Sequence, residues 1–327
     1  MNTILTHPDA SIYVEESHGS RMISVQPRDG LFTPVREWKT KYPLDLIEHV
    51  LRVKGPAYLC NEIMRDEHPL YIEHHFRWDM LSFAEKQNFA GRRLLDFGSG
   101  SGASSMVLAR LFPDSTIVGV EFVPEFVDLA QHRAQFYGVE DRVSFRLSPD
   151  SSSLPPEIGH FDYIIFSAVF EHLFPSERET ILPLLWEYLR KGGIMFLDQT
   201  PYRWFPIEMH TTGLPLINYL PDSAALYCAR KLSKRVHRDT SWPDLLRMGI
   251  RGGSTREIIS ILDRQGKAEL LSPSHGVRND IDLWYQLSSS TRKPVTKKLM
   301  KWGFKAFKAT TGLTIIPTVS LALRKVA

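Results

Sequence analysis

The chain has 327 residues, 43% hydrophobic and 24% charged, enough to bury a full core in one large domain with extensions. Its net charge of +3 supplies no overall field for nucleic acid. Cys60 and Cys228 stand far apart and in no ligand-like spacing, which argues against a disulfide framework and a thiolate zinc site.

The opening "MNTILTHPDASIYVEE" has neither a basic nor an apolar leader region, so no signal peptide is expected. No run of 18 apolar residues occurs, so no membrane span is expected either. The expected location is the cytoplasm. Residues 1–88 show no strand–helix alternation and are read as an N-terminal helical extension, closing in an aromatic-rich helix within "HPLYIEHHFRWDMLSFAEKQ". A regular alternation then begins. "RLLDF" (93–97) is a strand, 103–112 a helix and "TIVGV" (116–120) a strand. A helix over 123–138 ends at Gly138, a common C-terminal stop. Strands follow at 142–147 and 161–167. A helix over 176–193 leaves through Gly192 and Gly193 into a strand at 194–199.

This alternation predicts an α/β fold with a mostly parallel sheet covered on both faces. The expected units are 1–88 as a cap, 89–200 as the core, 201–252 as an insert that binds the acceptor or acts as a lid, and 253–327 as the rest of the core. In that last unit a helix over 254–266 and strands at 267–272 and 317–326 resume the pattern. Ligands of such sheets bind beyond the carboxyl ends of the strands. Asp96, Glu121, Asp150 and Ser167 all fall on that rim.

"LLDFGSGSGASS" (94–105) sets Gly98, Gly100 and Gly102 after an apolar strand. The glycines let the backbone approach a ligand, and Gly98, Gly100 and Ala103 also satisfy a dinucleotide pattern. The acids are more discriminating. Asp96 would repel a pyrophosphate and attract an ammonium group. Glu121 ends the second strand, where a carboxylate can accept both ribose hydroxyls, and Asp150 follows the third, within reach of an exocyclic amine. An amino acid, a ribose and an adenine are thereby provided for, which suits S-adenosylmethionine better than NAD.

"LLDFGSGSG", Glu121 in "VGVEF", "SPDSSSLP", "FDYIIFSAVFEHL" and "LRKGGIMFL" together resemble the successive motifs of class I S-adenosylmethionine-dependent methyltransferases over about 90–200. The resemblance implies a Rossmann-like, seven-stranded sheet whose last strand is antiparallel. It assigns cofactor contacts to Asp96, Gly98, Ser99, Gly100, Glu121, Phe122, Asp150, Ser151 and Ser167, with S-adenosylhomocysteine as product. It implies no metal, since no acidic cluster like that of the catechol enzymes occurs. Ser167-Ala168-Val169-Phe170 stands where amino-methylating nucleic-acid enzymes carry Asn/Asp-Pro-Pro-Tyr/Phe, so a nucleobase is not the expected acceptor.

A hydroxyl or amine acceptor needs a base, whereas a carboxylate does not. The candidate bases are His172 in "FEHL" and His210 in "IEMHTTGLP"; each is also readable as an ordinary structural histidine. Arg203, Trp204, His210 and Tyr219 in the aromatic, basic insert are the candidate acceptor contacts, and these aromatics are equally suited to an insert core. The expected reaction is O-methylation of a small amphiphilic metabolite, first a fatty- or hydroxy-acid carboxylate, then a glycan or quinone-like hydroxyl. A non-catalytic, membrane-peripheral cofactor-binding protein is the reading from another class. "KKLMKWGFKAFK" (297–308) places five lysines within one arc of a helix, a pattern suited to an anionic membrane; packing on the sheet with solvated lysines is the alternative.

Overall fold

The computed structural model describes residues 2–28, 30–150, 152–288 and 294–326. The N-terminal segment differs from the helical extension expected. It opens with four antiparallel strands in meander order, β1 (Asn2–His7), β2 (Ala10–Ser17), β3 (Ser20–Pro27) and β4 (Glu37–Thr40). The cause is a period of two in the apolar residues. Ala10, Ile12 and Val14 of β2 and Ile23 and Val25 of β3 are buried on one face. His18 and Gly19, both at positive φ, close the hairpin between them in two residues. Helices α1 (Leu44–Lys54), α2 (Leu59–Glu67) and α3 (Ile72–Asp79) follow. Leu46, Ile47, Val50 and Ile63 cover the buried face of this sheet.

The core then runs β5 (Arg93–Phe97), α4 (Ala103–Leu111), β6 (Thr116–Glu121), α5 (Pro124–Tyr137), β7 (Val143–Leu147), β8 (Phe161–Ser167), α6 (Pro175–Tyr188) and β9 (Leu189–Pro201). Helices α7 (Asp222–Leu232) and α8 (Trp242–Arg247) lie in the insert, and α9 (Thr255–Leu262), β10 (Ala268–Leu270), α10 (Asp280–Leu287), α11 (Val295–Thr311) and β11 (Thr318–Lys325) complete the chain. The seven-stranded sheet has the order β10-β11-β9-β8-β5-β6-β7, with β11 antiparallel to its neighbours. Its central strands are buried on both faces. Leu94, Ile165 and Phe196 point into one core and Leu95, Ile164 and Leu197 into the other.

Helix α6 stops at Tyr188, five residues short of the expected end. Pairing with β8 already begins at Leu189. Gly193 lies there because an added Cβ would come within 2.7 Å of the Asp162 carbonyl oxygen. Its role is close strand approach rather than helix termination. The insert has a small core of its own, with Ile217, Ala225, Ala229, Leu245 and Ile250 buried together. Strand order reverses between β5 and β8, so a crevice opens at their carboxyl ends.

Candidate cofactor and acceptor site

The turn after β5 carries Gly98, Gly100 and Gly102 at φ 72°, 53° and 85°. The amides of Gly98 and Ser99 both donate to the Val120 carbonyl (2.9 and 3.1 Å), which ties the turn to β6. A Cβ on Gly98 would meet Val169 at 2.6 Å, whereas one on Gly100 would meet nothing within 4 Å. Gly100 faces open space: a cavity of about 540 Å³ lined by Asp96, Gly98, Ser99, Gly100, Ser104, Ser167 and Gln199, among others. Asp96 is buried. One of its oxygens accepts from the Ser104 and Ser105 hydroxyls (2.7 and 2.6 Å) in the first turn of α4. Burial pushes its pKa up, and those two hydroxyls partly offset the rise. The Ser99 hydroxyl is buried without a partner. Ser167 accepts a hydrogen bond from the Gln199 amide (3.0 Å).

The opposite wall comes from the N-terminal segment, which is expected as a cap but through none of the residues that line the cavity. Lys54, Glu62, Arg65, Tyr71, His74 and His75 all line the cavity. Glu62 accepts from the Ser101 hydroxyl of the glycine turn and from the fully buried Arg133 guanidinium of α5 (3.2 Å). Burial alone would raise the Glu62 carboxyl; Arg133, Lys54 and Arg65 together hold it below the usual range. One buried network thus fixes α2, α5 and the ligand loop relative to one another. Its signal in sequence is faint, because the partners lie 39 and 71 residues apart.

Three further cofactor candidates stand off this cavity. Glu121 is buried at the end of β6, with its carboxylate accepting from the amides of Gly100 (3.0 Å), Phe122 (2.8 Å) and Val123 (3.1 Å). Phe122 is half exposed. Asp150 is exposed and forms a local turn with the Ser152 amide and hydroxyl (2.8 and 3.0 Å). The Ser152 and Ser153 hydrogen bonds lower its pKa. Ser151 lies outside the described residues.

Where the insert meets the sheet, a second cavity of about 180 Å³ is lined by Gln199, Tyr202, Ile207, Met209, His210 and Ile250, among others. Gln199, at φ 58°, borders both cavities. His172 and His210 come together from distant segments, with ring centroids 5.5 Å apart. Burial lowers the pKa of both rings, and it raises the adjacent Glu171 to about 7. The other acceptor candidates gather elsewhere. The Arg203 guanidinium lies over the Trp204 ring (5.0 Å), and the Tyr219 hydroxyl donates to the Trp204 carbonyl (2.6 Å). Trp204 borders a different cavity, beside α9 and β11. Arg203, Trp204 and Tyr219 therefore do not form one pocket with His210, contrary to the sequence expectation. Tyr202 lies between the two cavities and borders both.

The basic helix also differs from expectation. Lys301 and Lys305 both pair with Asp282 of α10 (2.8 Å each), so part of the lysine arc faces the protein. Leu299 and Trp302 are exposed instead. Among the described residues, no helix is long and apolar enough to cross a membrane.

Residues 94–193 match the protein family described as a methyltransferase domain. The chain is 30% identical over 109 residues to the mitochondrial ubiquinone biosynthesis O-methyltransferase of Rattus norvegicus, covering 33% of this chain and 30% of that protein. It is 29% identical over 112 residues to the demethylmenaquinone methyltransferase of Thermus thermophilus, covering 34% and 49%. A probable fatty acid methyltransferase of Pseudomonas putida is 27% identical over 139 residues, covering 42% and 34%. The chain thus spans a third to a half of these relatives' length. The family match, the order of the sheet and the glycine turn converge on one conclusion: the chain carries a class I S-adenosylmethionine-dependent methyltransferase domain.

Proposed function

We propose that the protein transfers the methyl group of S-adenosylmethionine to an oxygen of a small amphiphilic acceptor. The observation that carries this reading is the shared wall at Gln199, which sets the insert cavity directly against the cavity of the glycine turn. The residues present suit the donor. Asp96 offers a carboxylate to the ammonium group, and the open face of Gly100 leaves room for close approach. Arg65 and Lys54 provide cations for the donor's own carboxylate. Glu121 and Asp150 retain their roles as ribose and adenine partners in this proposal; each keeps lone pairs beyond the bonds it now accepts.

The insert supplies an apolar approach. Ile207 and Met209 line the insert cavity and are exposed at its edge, which suits an acyl or prenyl tail. The name of the Pseudomonas relative supports a fatty-acid acceptor; that of the Rattus relative supports O-methylation of a quinone precursor, and that of the Thermus relative supports a quinone-type acceptor. Holding the acceptor oxygen in line with the sulfonium methyl is the main contribution expected of the protein. A hydroxyl acceptor would lose its proton on the side of His172 and His210.

The test is incubation with methyl-labelled donor and a panel of fatty acids, hydroxy acids and prenylated phenols, followed by mass spectrometry. Label in one oxygen-linked methyl, together with S-adenosylhomocysteine, is the expected result. Donor binding without any labelled product would favour a non-catalytic role.

A further inference from the structure

Glu171 and His172 follow β8, and His210 lies in the insert, 38 residues further along the chain. One ligand-type atom from each lies within 4.8 Å of the other two. The Glu171 Oε1 atom is buried and has no hydrogen-bond partner. It lies 3.8 Å from His172 Nε2, too far for a hydrogen bond. Donor atoms that converge without bonding one another leave room for a further group between them.

The surroundings orient these three side chains. His172 Nδ1 donates to the Arg247 carbonyl (2.6 Å), which leaves the Nε2 lone pair directed at Glu171. Arg247 is itself clamped by two 2.6 Å contacts to Glu177. The other Glu171 oxygen accepts from the Thr200 hydroxyl (3.3 Å). His210 sits on a turn organised by buried Glu208, whose Oε1 accepts from the amides of His210 and Thr211 (2.8 Å each). Gly249 keeps the space clear: a Cβ there would come within 2.8 Å of the His210 ring and 3.2 Å of Glu171 Cγ. A backbone carbonyl behind a ligating imidazole is the usual outer support of a metal site.

We propose that Glu171, His172 and His210 bind a divalent transition-metal ion at the junction of the sheet rim and the insert. Two imidazoles and one carboxylate favour zinc, cobalt or ferrous iron over magnesium or calcium, which prefer oxygen ligands. Donors about 2.1 Å from a tetrahedral ion lie roughly 3.4 Å apart, so the 3.8 Å Glu171–His172 edge is already close to that spacing and His210 makes the larger adjustment, of at most about 1.4 Å. His210 itself is exposed, and rotation of its side chain supplies that movement. Three protein ligands leave at least one position free for an acceptor oxygen. That last use rests on the methyl-transfer reading, while the binding site itself does not.

The test is a Co²⁺ titration of the metal-stripped 327-residue chain, read by calorimetry and visible absorption, with melting temperature as the check on folding. One equivalent is expected for the unaltered protein, with a rise in melting temperature. Glu171→Gln and His210→Ala are each expected to lose that equivalent while still melting cooperatively. His237→Ala, which removes an exposed histidine paired with Asp239, is expected to keep it. X-ray absorption of the unaltered Zn²⁺-loaded protein gives a readout that needs no variant, and two imidazoles with a carboxylate oxygen are expected. No Co²⁺ bound by the unaltered protein, undiminished binding in both site variants, or a zinc shell without two imidazoles would each overturn the proposal.

Discussion

Gly98 and Gly100 occupy the same turn, both at positive φ, yet they are required for different reasons. A side chain at 98 strikes Val169; one at 100 enters the cavity. Gly98→Ala is therefore expected to cost about 2–4 kcal/mol of stability, from left-handed strain plus overpacking. Gly100→Ala should cost only about 1 kcal/mol but weaken donor binding sharply. Urea unfolding and donor titration of the two variants separate the effects. The turn and Asp96 were legible in the sequence because they are contiguous. Glu62 and Arg65 were not, since nothing local marks a helix 30 residues upstream as a cavity wall. His172 and His210 were both singled out as bases, but their convergence on Glu171 exists only once the insert folds back on the rim.

Elements were read best where periodicity and burial agreed. Strands β5, β6 and β8 are apolar runs buried on both faces, and they fall at or within a residue of the expected bounds. The N-terminal meander carries the period of two that marks half-buried strands, in Ala10, Ile12 and Val14 and in Ile23 and Val25, so it is legible in the sequence once that segment is tested for strands rather than for helices. In α11 the helical arc was correctly drawn and the direction of its lysines was not. Asp282, on the preceding helix, draws Lys301 and Lys305 inward, and no helical wheel contains that partner. Trp302→Ser is accordingly expected to change stability by less than about 0.5 kcal/mol, as its side chain is 73% exposed. If the exposed Leu299 and Trp302 face meets a membrane, the same variant lowers sedimentation with anionic liposomes. Asp282→Ala is expected to destabilise by about 1–2 kcal/mol, because it frees both lysines at once; chemical denaturation measures it.

At the scale of the whole molecule, acids are concentrated beneath the ligand crevice. Asp79 of α3 and Asp198 of β9 are both buried. Burial raises both pKa values, Asp198 to about 7, and the Asp198 charge raises Asp79 further. An unfolded aspartate titrates near 4, so from about pH 4 up through the Asp198 titration near 7, and beyond it for the more strongly raised Asp79, the folded protein binds more protons than the unfolded chain. Stability from this pair is full below that window and is lost as pH rises through it. Asp79→Asn should flatten the slope and stabilise the protein by on the order of 1–3 kcal/mol near pH 8, as read by unfolding at several pH values. The crevice itself is assembled by the sheet, by the N-terminal wall tied through Glu62 and Arg133, and by the insert meeting at Gln199. The central claim is that this crevice holds S-adenosylmethionine with Asp96 on its ammonium group. Calorimetric titration of the protein and of Asp96→Ala with S-adenosylmethionine tests it most directly. Saturable one-to-one binding, weakened at least about tenfold in the variant, is predicted; equal binding by both proteins, or binding of a nicotinamide dinucleotide in its place, would contradict it.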